Sequence, residues 1–121
     1  MKTTPNEHPT AILEVDASNF SEEVLKSADP VVVIFTAEMC EPCEGIETDL
    51  EEVATELAGK VKIVKLNDNE NLELAAKFGV YDFPTLAIFK GGEVVVADID
   101  YDDEPGSLGS SISKALASLR T

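Results

Sequence analysis

The run DPVVVIFTA, residues 29–37, restricts the possible folds more than any other stretch of the chain. Val31, Val32, Val33, Ile34 and Phe35 follow one another with no polar interruption, bounded in front by Asp29-Pro30, as in a strand buried on both faces. Such a strand needs helices on either side of its sheet. The flanking sequence supplies them. AILEV (11–15) reads as a short strand, and SNFSEEVLKSA (18–28) as a helix with Ser18 a candidate cap and Phe20, Val24 and Leu25 inward.

From Pro42, apolar residues at Ile46, Leu50, Val53 and Leu57 predict a helix that Gly59 would end, with Pro42 suited to its first turn. KVKIVKLN (60–67) alternates as a strand, and NENLELAAKFG (69–79) predicts a helix with Leu72, Ala75, Ala76 and Phe78 inward and Gly79 at its end. TLAIFKGGEVVVADI (85–99) reads as a hairpin turning at Gly91-Gly92, and SLGSSISKALASLR (107–120) as a closing helix with Leu108, Ile112, Leu116 and Leu119 as its stripe. The fold class is α/β with a mixed sheet, in the order βαβαβαββα.

The 121 residues suit one domain over 11–121, preceded by a tail over 1–10 with Pro5, Pro9 and no apolar pattern. A formal charge of −15 argues against nucleic acid and anionic membranes as partners and favours neutral or basic proteins. Eight of the nine basic residues are Lys, so the acidity does not single out a halophilic source. No run approaches a membrane span, and MKTTPNEHPT lacks an apolar signal core, so the expectation is a cytoplasmic protein.

In a reducing cytosol, the two cysteines of C-E-P-C, Cys40 and Cys43, read as a metal half-site or a redox dithiol. Structural zinc needs four ligands, and the sole histidine, His8, lies in the tail, so no metal and no cofactor are expected. The redox reading places Cys40 between a buried strand and a helix N-terminus, where unpaired N–H groups favour a thiolate, with Cys43 one turn on to resolve a mixed disulfide. The bland alternative is two small core residues.

With FTAEMCEPC (35–43), NFSEEVLKSADPVVVIF before it and KVKIVKLNDNENLELAAKFGVYDFPTLAIFKGGEV after it, the chain resembles thioredoxins from about Ala11 to Leu119. The resemblance implies a thiol-disulfide oxidoreductase with Cys40 as nucleophile and Cys43 as resolving cysteine. It implies disulfide-containing target proteins, a thioredoxin reductase or similar electron donor, and a monomer. Pro84 of DFPTL matches the proline whose loop faces the dithiol and pairs with extended substrate. Met39, Glu41, Pro42, Phe83, Pro84 and Asp100 would form the substrate surface, and Lys65 matches a lysine behind the site.

The departures from the family pattern concentrate around that site. Ile34 stands where the family has a buried aspartate thought to handle the resolving cysteine's proton, so Lys65 should lose its partner and turn to solvent, to Glu38 or inward. Met39 and Thr36 replace tryptophans, Gly45 a larger apolar residue and Thr48 a proline, while Asp82 and Asp100 replace groove glycines. Glu41 and Glu44 take the places of a glycine and a lysine. A carboxylate roughly 7 Å from Cys40 disfavours its thiolate by on the order of 0.5 to 1 kcal/mol, which makes Glu38, Glu41 and Glu44 tuning groups alongside Lys65. Glu47 reads as too far and too exposed, a solvated acid in the early turns of its helix. DIDYDDE (98–104) would place Asp98, Asp100 and Asp102 on one face of a strand as an acidic edge, not a calcium loop. The same departures motivate an alternative function, a redox-weak binding or scaffold module.

Overall fold

The computed structural model describes residues 12–36, 41–57, 61–67, 72–80, 84–99 and 107–118. The expected tail over 1–10 lies outside them, as do Gly59 and Leu119. Strands β1 (Ile12–Val15), β2 (Val31–Thr36), β3 (Lys62–Asn67), β4 (Thr85–Lys90) and β5 (Glu93–Val96) form one sheet in the order β1-β3-β2-β4-β5. Helices α1 (Glu41–Glu56), α2 (Leu72–Lys77) and α3 (Ser107–Ser118) intervene or follow, with a short π-helical segment at Ser21–Leu25. β1 and β2 pair with β3 in parallel, whereas β4 runs antiparallel to both β2 and β5. The mixed α/β sheet read from the sequence is the sheet observed.

Every residue of β2 is buried, and alternation divides it between two cores. Val31, Val33 and Phe35 join Phe20 and Val24 of the π-helical segment region and Ala75 and Val80 around α2. Val32 and Ile34 join Ile46, Leu50, Val53 and Ala54 of α1 and Leu108 and Ile112 of α3. Phe20, Phe78 and Phe89 close the first core, with ring centroids 5.0 to 5.6 Å apart. Each such pair contributes about 0.5–1.5 kcal/mol beyond area burial.

Two turns depend on left-handed backbone. After α2, Val80 N–H donates to Ala75 O and Gly79 N–H to Ala76 O, a Schellman closure in which Gly79 takes φ 78°. Val80 and Ala75 are both buried in the first core, so the cap also anchors the helix end. Gly91 and Gly92, at φ 64° and 84°, form the tight turn between β4 and β5.

The region before β2 differs from its sequence reading. Regular helix is confined to the π-helical Ser21–Leu25, and Ser18 is not the cap. Asp16 fills that role: its Oδ1 accepts from the N–H and the hydroxyl of Ser18, while its own N–H donates to Asn19 Oδ1 at 2.8 Å. The reciprocal arrangement satisfies donors at the start of the turn, which a serine two residues later could not do. The hydrogen bond from the Ser18 hydroxyl, helped by its N–H, holds the Asp16 carboxyl below its ordinary 3.8. The folded value is the depressed one, so the contribution is complete above 3.8 and is lost as pH falls through the folded value. Asp16→Ala is thus expected to lower the Tm at neutral pH, with a deficit that shrinks in strong acid. Equal deficits at neutral and acid pH would contradict this account.

The hairpin is also shorter than predicted. β5 ends at Val96, after a register irregularity opposite Ile88 and Phe89. Ile99 returns to donate its N–H to Leu86 O at 2.9 Å and is buried. Asp98 is therefore exposed beyond the strand, so the proposed alternating face is corrected there; Asp100 and Asp102 lie outside the described residues.

Candidate active site

The strand directions bring the sequence-predicted features to one end of the sheet. β2 ends at Thr36, and α1 begins at Glu41, so Glu41, Pro42, Cys43 and Glu44 form the first turn of α1 near the C-terminal end of β2. β4 runs the other way, with Thr85 opposite Phe35, so Pro84 comes to that same end. Pro84 is half-buried at a bend immediately before β4. Glu38, Met39, Cys40, Asp82, Phe83 and Asp100 lie outside the described residues.

One rung below this end, Lys65 of β3 stands beside Ile34 of β2, and Glu14 of β1 flanks Lys65 on its other side. Ile34 is fully buried, packed in the core shared with Ile46, Leu50 and Leu86. Ile63 belongs to that same core, so alternation along β3 turns Lys65 toward α1 as well.

Lys65 does not lose its charge partner. Its Nζ donates to Glu47 Oε1 at 3.0 Å, and each side chain is 28% exposed. Glu47 is accordingly not the solvated acid that its position suggested. The helix brings it over the sheet because Ile46 and Leu50, on either side, are core residues. Sequence reading missed the pair because it joins α1 to β3 across 18 residues. Two signals were available: Glu47 lies four residues after Cys43, and Lys65 shares the parity of Ile63 on its strand.

A second ion pair, Lys62 with Glu23, fixes β3 to the π-helical segment and lies apart from this end of the sheet. A groove of about 240 Å³ between α1 and α3 is lined by Asp49, Glu52, Glu56, Ser110 and Ser113. It contains none of the candidate site residues. No helix among the described residues is long and apolar enough to cross a membrane.

Comparison with known proteins agrees with this geometry. Residues 11–114 match the thioredoxin family model. Thioredoxin 1 of Nostoc sp. is 43% identical over 86 residues, covering 71% of this chain and 80% of the relative. The thioredoxin of Streptomyces clavuligerus is 49% identical over 81 residues, covering 67% and 75%. That of Pseudomonas aeruginosa is 45% identical over 83 residues, covering 69% and 77%. The matched region includes every described strand and most of α3.

Proposed function

Because this chain belongs to the thioredoxin family, we propose that it is a protein-disulfide reductase working through Cys40 and Cys43. The Cys40 thiolate attacks one sulfur of a target disulfide and expels the other as a thiolate. Cys43 then attacks Cys40 of the mixed disulfide, its proton passing to a base, and the second target sulfur leaves as a thiolate. The target gains two electrons and the dithiol becomes a disulfide. A thioredoxin reductase or similar donor restores it.

The observation that carries this reading is the opening of α1 at Glu41, immediately after Cys40 in the chain, with Pro84 at the same end of the sheet. A nucleophile just ahead of a helix N-terminus has unpaired backbone donors and the positive end of the dipole at hand. Met39, Glu41, Pro42, Phe83, Pro84 and Asp100 form the substrate surface in this proposal. Pro84 offers its loop to an extended substrate segment. Glu38, Glu41 and Glu44 moderate thiolate formation and direct the site toward neutral or basic targets. The protein acts as a cytoplasmic monomer with no cofactor.

The burial of Ile34, an apolar side chain that cannot accept a proton, favours a second reading, a scaffold whose dithiol turns over negligibly. Insulin reduction separates the two. The dithiothreitol-reduced protein should accelerate insulin aggregation several-fold over its Cys40→Ser variant. Equal rates would leave the scaffold reading.

A further inference from the structure

α1, with the sequence EPCEGIETDLEEVATE, carries seven acidic residues and no basic one. Glu47 is held by Lys65, but Asp49, Glu52 and Glu56 form no ion pair among the described residues. Their spacings of three and four put them on one side of the helix, where like charges repel. That side is one wall of the groove of about 240 Å³ between α1 and α3. The floor is apolar, with Val53 and Leu108 both buried. At Gly109 an added Cβ would stand 3.4 Å from Val53 Cγ2, so the lack of a side chain lets the two helices approach. The other wall brings Ser113 of α3, which carries no charge to answer the carboxylates.

Such a lining selects its occupant. Small-molecule sites run to roughly 300–1,000 Å³ and are mostly apolar. This groove is smaller and negative along one wall. An apolar floor beneath carboxylates matches a lysine or arginine side chain, whose methylenes pack while the charged head stays in water. The formal charge of −15 also draws in basic surfaces.

The groove is continuous with the dithiol end, because α1 runs from one to the other. At 1.5 Å per residue, Asp49 and Glu56 lie roughly 12 and 22 Å along the axis from Glu41. An interface of standard size covers about 800 Å² on each partner, a radius of roughly 16 Å. A protein centred on Cys40 therefore reaches the near half of the groove.

We propose that the α1–α3 groove is a second contact site for protein substrates of the dithiol, taking a lysine- or arginine-bearing segment of the substrate beside its disulfide. The inference rests on the reductase reading above. The groove residues bind and do not touch the reacting sulfurs, so their effect falls on the concentration of substrate needed and not on the limiting rate.

The test uses two synthetic peptide disulfides that differ only in a tail of four lysines or four serines. A ten-residue Gly-Ser linker joins the tail to the disulfide and spans roughly 16–19 Å, which matches the distance to the groove. Reduced protein is mixed with excess probe in single-turnover stopped flow; the dithiol is oxidised to a disulfide as the probe is reduced to two thiols. The lysine probe is expected to half-saturate at a roughly five- to twentyfold lower concentration than the serine probe, with the same limiting rate. Raising the salt concentration should shrink that advantage.

Neutralising the wall in Asp49→Asn, Glu52→Gln, Glu56→Gln should bring the lysine probe close to the serine probe and leave the serine probe unchanged. Ser113→Arg, which fills the groove with a cation while every carboxylate remains, should do the same. A control with the same change in net charge, Glu22→Gln, Glu73→Gln, Glu93→Gln, alters exposed acids on other elements and should keep most of the advantage. An advantage that survives either groove variant overturns the proposal. So does an equal loss in the control, which would assign the effect to the protein's overall field. If neither probe is reduced, the reductase reading itself fails. If both are reduced with the same concentration dependence, only the groove inference falls.

Discussion

Ile34→Asp is expected to cost the folded state on the order of 4 kcal/mol at neutral pH. Ile34 is fully buried in the central strand, in the core it shares with Ile46, Leu50 and Leu86. Losing its branched side chain removes contacts on the scale of a large-to-small core change, about 2 to 5 kcal/mol. Lys65 is the adjacent cation, but Glu47 already holds it, so a new carboxylate would have to compete for it. With desolvation dominant, the introduced carboxyl ionises at a higher pH in the fold than in the unfolded chain. The folded protein then binds the extra proton, and the variant's deficit grows as pH rises through the raised value. Urea unfolding at mildly acid and mildly alkaline pH should show that growth. Ile34→Val, as a size control, should cost only about 0.5–1.5 kcal/mol. A loss for Ile34→Asp no larger than that of the control would mean that water or Lys65 accommodates the acid, and the apolar account of this position would be wrong.

Cys43→Ser is expected to have the largest chemical effect, converting a catalyst into a trap. Without the second thiol, the bond between Cys40 and a target sulfur has no intramolecular attacker, and escape must await an external thiol. The intramolecular route benefits from effective molarities that no millimolar reductant matches, so the mixed disulfide should persist by orders of magnitude longer. Non-reducing electrophoresis of the variant mixed with a disulfide-containing protein should show a stable adduct, absent for the Cys40→Ser,Cys43→Ser protein. An adduct forming faster with Cys40→Ser alone would reverse the assigned roles of the two cysteines, and equal rates would remove the distinction between them.

Much of the fold was legible because local pattern and burial agree. The unbroken Val31–Phe35 run announced a central strand, and all of β2 is buried. Helical spacing at Ile46, Leu50 and Val53 identified the inner face of α1, and Gly91-Gly92 located the hairpin turn. The misses arose where one residue outcompeted a plausible neighbour. Asp16 rather than Ser18 caps the first turn because it alone can exchange hydrogen bonds with both Ser18 and Asn19. β5 stops before Asp98 because an irregular register returns the chain to Leu86, an outcome that alternation alone cannot foresee.

For the candidate site, the sequence offered a motif and a resemblance but not the supporting contacts. The C-E-P-C spacing and the Pro84 loop followed from the chain and its resemblance to thioredoxins. Lys65 was singled out, but its partner was not, because a salt bridge between a helix and a strand leaves no periodic trace. Glu47 looked like one more acid in an acidic sequence; only packing of α1 on the sheet made it different.

The division of β2 between two cores gives the protein two separately adjustable sides. Odd-numbered positions answer to the phenylalanine cluster, even-numbered positions to the helix that carries Cys43. A substitution at an even-numbered position such as Ile34 is therefore felt by α1 and α3, while the aromatic side continues to hold the sheet in register.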